Sequence, residues 1–292
     1  MFLRGGLGNQ LFQYAAGVFL ARKQGTRVIF RTDLLPAEAD SIGSVSRWPN
    51  QLSEFRSEGL FDHRKNQPKG STHLVSKLLQ VIRVLGDLVP NFFLAFGVLT
   101  GERNSAPPFT NLKKLRVIDS YCSSALPAIE LGDELRNQIR DITVPSASFL
   151  ELAKEAINQR PIVIHVRLGD YQNFKHLYGE PQYDGIEKVV RSLTRTQKVP
   201  VWVFTDSPDS VPELMLNKLG ADKVIGPGDL ERPIENLVLM SMGSALICSN
   251  STFSWWAAYL MGKNAKVFFP KTAGVPHEIF SSDMVIEGWT PY

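Results

Sequence analysis

The chain reads as an α/β protein built on parallel sheet. From Pro161 onward, five short apolar runs are separated by four segments of helical spacing. Candidate helices close on glycine, and one opens with proline in its first turn. Such alternation is the pattern of a doubly wound sheet covered on both faces. The expected strands are Ile162–Val166, Val201–Thr205, Lys223–Ile225, Ala245–Cys248 and Val267–Phe269. The helices expected between them are Tyr183–Leu193, Val211–Leu219 (closed by Gly220), Pro233–Met242 and Thr252–Met261 (closed by Gly262).

The first half is less regular. A brief strand at Phe2–Leu3 leads through a glycine turn into a helix over about Gln10–Lys23, and Val28–Phe30 is a second strand. Residues 41–71 are polar and broken by Pro49, Pro68 and glycines, so they read as a long loop or insertion. Helical spacing returns at Val75–Leu85, a strand is expected at Arg116–Asp119, and helices at Pro127–Ile142 and Ala147–Asn158. Two α/β lobes, 1–159 and 160–292, follow from this division.

Composition narrows the function classes. The 292 residues carry 32 Lys+Arg against 29 Asp+Glu, a formal charge of +3, which leaves no basic footprint for nucleic acid. Apolar residues make up 43% and phenylalanine alone contributes 17, which excludes disorder. A chain of this mass buries roughly three quarters of its unfolded surface. Cys122 and Cys248 cannot make a disulfide framework or a zinc site alone, which favours a reducing compartment. No run reaches the ~18 apolar residues of a membrane helix; Val84–Thr100 is interrupted by Asp87, Pro90 and Asn91. Gly5, Gly6, Gly8, Asn9 and Gln10 fall where a signal peptide would build its apolar core, so a cytoplasmic protein is expected.

Ligands of an open parallel sheet bind outside the carboxyl ends of its strands. Three polar clusters sit at such ends. His165-Val166-Arg167-Leu168-Gly169-Asp170-Tyr171 follows the first strand of the second lobe, Thr205-Asp206-Ser207-Pro208-Asp209 the next, and Ser249-Asn250-Ser251-Thr252-Phe253-Ser254-Trp255-Trp256 a later one. His165 and Arg167 share one strand face, either as an ordinary surface pair or as a cation awaiting a phosphate. Asp206 either caps a turn or accepts from a ligand. Asn250 and the hydroxyls of Ser251, Thr252 and Ser254 either cap a helix or join its free N–H groups in an anion site. Trp255 and Trp256 read as core. At the other end of the chain, Gly5-Gly6-Leu7-Gly8-Asn9-Gln10 lacks the third glycine of a dinucleotide fingerprint, and is either a tight turn or a backbone surface that a ligand approaches. No P-loop, His-Glu-x-x-His, Gly-x-Ser-x-Gly or Asp-x-Asp occurs.

These clusters also carry a resemblance. Gly5–Ala15 resembles the amino-terminal signature of the α-1,2-fucosyltransferases, glycosyltransferase family eleven. His165–Tyr171 is similar to that family's HxRxGDY motif, and Ser249–Leu260 to its NSTFSWWAAWL motif. The chain departs from many relatives at Leu168, where a second arginine stands, and at Asn236 and Gly243, where Asp and Cys are frequent. The resemblance implies a GT-B fold, two Rossmann-like lobes facing across a cleft, and inverting transfer of L-fucose from GDP-fucose to the 2-hydroxyl of a galactose residue. It implies no metal and no cofactor. GDP-fucose would be held by His165, Arg167, Gly169, Asp206, Ser207, Asn250, Ser251, Thr252, Phe253 and Ser254. Gly6, Gly8, Asn9 and Gln10 would face the acceptor side.

Arg167 is then the expected counter-charge to the departing β-phosphate, and Asp170 either the base or the group that orients Arg167. A galactoside acceptor, lipid-linked in the manner of O-antigen precursors, would bring peripheral contact with the inner membrane face. The competing readings are an inverting transferase using another nucleotide sugar, and a nucleotide-binding module without turnover.

Overall fold

The structure is a computed structural model. It describes residues 1–32, 35–42, 45–55, 60–62, 81, 85, 98–100, 117–196, 198–272 and 274–292, with backbone alone at 40–42, 45–47, 60–62, 170 and 172. Two compact units emerge: residues 1–53 with 57–135, and residues 54–56 with 136–292.

The first unit opens on Met1–Leu3, too short to form a strand but bonded on both sides. Phe2 donates to Ile118 O at 2.8 Å, Leu3 donates to Arg31 O at 2.9 Å, and Arg31 donates to Met1 O at 2.7 Å. These residues therefore lie between β1 (Ile29–Arg31) and β6 (Val117–Asp119). On the outer sides, β4 (Leu60–Asp62) pairs parallel with β1 and β5 (Val98–Thr100) parallel with β6. A small antiparallel pair, β2 (Asp40–Ile42) and β3 (Val45–Arg47), and the bonded β4 occupy part of the stretch expected to be loop. The helix expected at Val75–Leu85 lies outside the described residues, apart from Val81 and Leu85. Helix α1 (Leu7–Gln24) is buried on nearly every face through Leu20. It ends where Gly25 turns to φ 62°, the left-handed conformation that glycine adopts without strain.

The second unit holds six parallel strands in the order β12-β11-β10-β7-β8-β9. These are β7 (Ile162–Val166), β8 (Val201–Thr205), β9 (Lys223–Ile225), β10 (Ala245–Ile247), β11 (Lys266–Phe269) and β12 (Thr290–Pro291). Every residue of β7, β8 and β10 is buried, as expected of strands covered on both faces. Two-residue β12 has no apolar run, so periodicity could not reveal it.

Helix α2 (Ala125–Arg140) is broken by Gly132, whose φ of 56° and ψ of −134° lie outside the helical region. The two units part just after this break, at Leu135/Arg136, rather than at the expected 159/160. The reason is packing. Helix α3 (Ala147–Gln159), capped by Ser146 accepting from Phe149 N at 3.1 Å, belongs with the second sheet. Ser146 N and Oγ donate to Glu235 at 2.7 and 3.0 Å, and Glu235, fully buried, also pairs with Arg232 at 2.8 Å. Gly243, one of the noted departures, has no room for a side chain: an added Cβ would come within 2.7 Å of Pro161 O and of Val163. Trp255 and Trp256 are core, as read, and Trp255 stacks on Tyr259 with centroids 5.6 Å apart. Among the described residues no helix is long and apolar enough to cross a membrane.

Candidate active site

Successive strands are added on one side of β7 as β8 and β9, and on its other side as β10, β11 and β12. The strand order therefore reverses between β7 and β10, where a doubly wound sheet opens a crevice beyond its carboxyl ends. The His165 and Ser249 clusters meet there. His165 Nδ1 lies 2.8 Å from Ser249 Oγ and 2.5 Å from Ser254 Oγ, and Ser249 N donates to Ser254 Oγ at 3.2 Å. The imidazole also packs on Phe253, with ring centroids 5.7 Å apart. Burial strips water from the ring, an effect that outweighs the nearby Asp206 carboxylate, and brings the His165 pKa down to about 4. A neutral imidazole at physiological pH, with its Nδ1 shared by two hydroxyls, is a structural post joining β7 to helix α8 (Thr252–Met261).

Asp206, at the end of β8, organises the turn after β7. One carboxylate oxygen accepts from Leu168 N at 2.8 Å and Gly169 N at 3.2 Å. The other pairs with Arg167 at 3.0 Å. Arg167 also lies over the ring of Tyr171, 5.4 Å from its centroid. The guanidinium is thus held between a carboxylate and an aromatic ring while about a fifth of it stays exposed. Asp206 is turned to the protein rather than reaching outward, and it makes an ion pair with Arg167 of the kind considered for Asp170. Asp170 opens a 3-10 turn (Asp170–Phe174), and its side chain lies outside the described residues. Ser207 is half-buried after β8, its N–H donating to Thr205 Oγ1 at 3.2 Å.

Several other expected binding groups are occupied within the fold. Asn250 Nδ2 donates to Tyr178 O at 2.9 Å and His277 O at 2.8 Å, and its oxygen accepts from Ile279 N at 2.8 Å. Its side chain staples two loops together and leaves neither N–H for a ligand. Ser251 caps α8 by accepting from Phe253 N at 3.2 Å. Thr252, at the first helical position, is half-buried. The Asn250 and Ser251 side chains at the helix start are therefore engaged by contacts within the protein.

In the first unit, Gln10 is a correction. Expected on the acceptor side, it is fully buried; its amide donates to Gly5 O and Pro49 O, both at 2.8 Å, and its oxygen accepts from Gln51 N at 2.9 Å. Gly8 is buried, while Gly6 and Asn9 are half-buried in the turn, with Trp48 3.4 Å from where a Cβ on Gly6 would sit.

A shallow pocket opens beside Arg167, its space of about 390 Å³ continuous with open solvent, lined among others by His165, Tyr171, Tyr178, Ser249 and Tyr292. Sequence reasoning missed Tyr178, Gln182, Thr272 and Tyr292 there. Tyr178 ends a four-residue helix, Gln182 precedes the next helix, Thr272 lies in a loop and Tyr292 follows the last strand, places that no periodicity or motif marks. Tyr171 and Tyr178 stack at 4.0 Å with 9° between their planes. Among the described residues no cluster of three metal-ligating side chains occurs.

The candidate site is thus an arginine held by a carboxylate just beyond the switch point of a parallel α/β sheet. Residues 117–290 match the profile of Glycosyl transferase family 11, and the chain belongs to that family. It is 26% identical to the O-antigen biosynthesis glycosyltransferase WbnK of Escherichia coli over 98% of both chains. It is 24% identical to galactoside alpha-(1,2)-fucosyltransferase 1 of Gorilla gorilla gorilla, over 99% of this chain and 76% of that protein. Among solved structures, POFUT1 in complex with GDP-fucose covers 91% of this chain and 95% of its own, at 12% identity and TM-score 0.47.

Proposed function

We propose that the chain is an inverting, metal-independent galactoside α-1,2-fucosyltransferase. The observation that carries this reading is the Asp206-held Arg167 guanidinium at the sheet's switch point, within a family-11 chain. The names of the bacterial and primate relatives, a glycosyltransferase and galactoside alpha-(1,2)-fucosyltransferases, support the sugar and the linkage. The second unit takes GDP-fucose and the first presents the galactose-bearing glycan. With a lipid-linked acceptor, the enzyme works in the cytoplasm at the inner membrane face.

In the reaction the galactose 2-hydroxyl oxygen attacks C1 of fucose from the face opposite the nucleotide. The bond from C1 to the β-phosphate oxygen breaks, its electron pair leaves on GDP, and the hydroxyl proton passes to a base, for which Asp170 is the first candidate. Negative charge grows on the β-phosphate as the bond lengthens. In this reading Arg167 takes up that charge, already oriented by Asp206 before the reaction begins. The neutral His165 supplies no charge here; it holds β7 and α8 in register.

The test offers GDP-fucose and a β-galactoside in the presence of EDTA and assigns the product linkage by NMR. The expected result is an α-1,2-fucosyl galactoside formed at the same rate with and without chelator. Transfer from another nucleotide sugar in preference, loss of turnover with EDTA, or GDP binding without any turnover would each overturn the reading.

A further inference from the structure

The pocket extends beyond Arg167 to the carboxyl ends of β11 and β12, and there it meets a group with no role in holding the fold. Thr272 follows β11 and is only 6% exposed, yet its hydroxyl has no hydrogen-bond partner among the described residues. Its backbone already shapes the local turn, since its carbonyl accepts from Val275 N at 3.1 Å. A buried hydroxyl left unbonded is a net cost to a fold, and this one belongs to a residue that lines a pocket where a ligand can complete it.

The rest of the lining limits what that ligand is. Ile186, Pro270, Tyr292 and the stacked Tyr171 and Tyr178 make it largely apolar. The Tyr292 hydroxyl is spent, donating to Cys248 O at 2.6 Å. Its ring lies against helix α5 (Tyr183–Thr194) at Gly185, where an added Cβ would approach it to 2.7 Å. Among the described residues Arg167 is the one permanent cation in this lining, and the Glu180 carboxylate lies there too. Among the described lining residues a diphosphate has no second counter-charge, and the Asn250 amide, the Gln182 amide nitrogen and the Tyr292 hydroxyl are already bonded within the fold. A pyranose ring with an apolar corner and a few hydroxyls matches it.

We infer that this pocket receives the sugar carried by the nucleotide, a 6-deoxyhexose, with its methyl group on the apolar lining and one ring hydroxyl bonded to Thr272 Oγ1. Thr272 is then a specificity-determining residue for the donor. The inference rests on the donor reading above, and its test separates the two.

The experiment compares wild type with Thr272→Val, which removes the hydroxyl at constant volume, and Thr272→Ser, which keeps it. It measures kcat/KM for GDP-fucose and inhibition by GDP, which lacks the sugar. The expected result is a loss of about tenfold to a hundredfold in kcat/KM for Thr272→Val, GDP inhibition within about twofold of wild type, and recovery in Thr272→Ser. Should Thr272→Val fail to fold, Thr272→Ala removes the same atom without added bulk. An unchanged kcat/KM, or a GDP inhibition weakened in proportion, would overturn the inference with the donor reading intact. A wild type that transfers nothing from GDP-fucose would instead bring down the donor reading and this inference with it.

Discussion

Arg167→Ala is expected to lower kcat by about a hundredfold to a thousandfold, the usual cost of removing one preorganised donor from a developing oxyanion. Stability should hardly change. The Arg167–Asp206 pair is one-fifth exposed on each side, and ion pairs open to solvent are worth about 1 kcal/mol or less. Asp206 also keeps its two backbone donors, Leu168 and Gly169, when the guanidinium is gone. The thermal midpoint should therefore stay within about 3 °C of wild type. Arg167→Lys should fail almost as badly. A lysine keeps the charge but cannot offer one edge to Asp206 and another to a phosphate while lying over Tyr171. Steady-state rates with melting curves decide the matter, and a near-normal kcat in either variant would remove the role.

Gly169→Ala should have the second large effect, although glycine to alanine is the smallest of substitutions. A Cβ at this position would fall 2.3 Å from the Asp206 oxygen that pairs with Arg167. That collision cannot be relieved without moving the carboxylate or the turn, and either movement releases the guanidinium. Displacements of about 1 Å in a positioning group cost roughly a hundredfold in rate, and kcat should fall by that order. Overpacking of this kind also costs about 1–3 kcal/mol, so a modest drop in melting temperature accompanies it. A variant that keeps full turnover would show that Asp206 does not need to sit where it does.

Much of the second unit was legible because its strands are continuous apolar runs with sharp ends. Ile162–Val166, Val201–Thr205 and Lys223–Ile225 appear with the expected bounds, and Thr252–Met261 does so among the helices. The convergence of the three clusters followed from the rule for parallel sheets. What side chains do at such a site is a different matter, because a motif gives residue types and not partners. Asn250 and Gln10 have the chemistry of ligand contacts, yet each is saturated by backbone groups brought from 27 to 72 residues away, or from 39 to 41 with one local contact. Asp206 reads from sequence as a turn cap or a ligand acceptor; it accepts from the backbone of the turn after β7, a turn distant in sequence, and pairs with Arg167 there. The lobe boundary was misplaced for a related reason. The break at Gly132 lies inside a continuous helical pattern, and only the burial of Ser146 against Glu235 reveals which sheet α3 serves.

The central claim is that Arg167 and Asp206 act as one device, the carboxylate aiming the guanidinium at the leaving phosphate. The most direct measurement is kcat for Arg167→Ala, Asp206→Ala and the double variant under identical conditions. If the two work as a unit, the double variant is no slower than Arg167→Ala within about threefold, because nothing remains for Asp206 to aim. Losses that multiply, with the double variant slower by the product of the single effects, would contradict it.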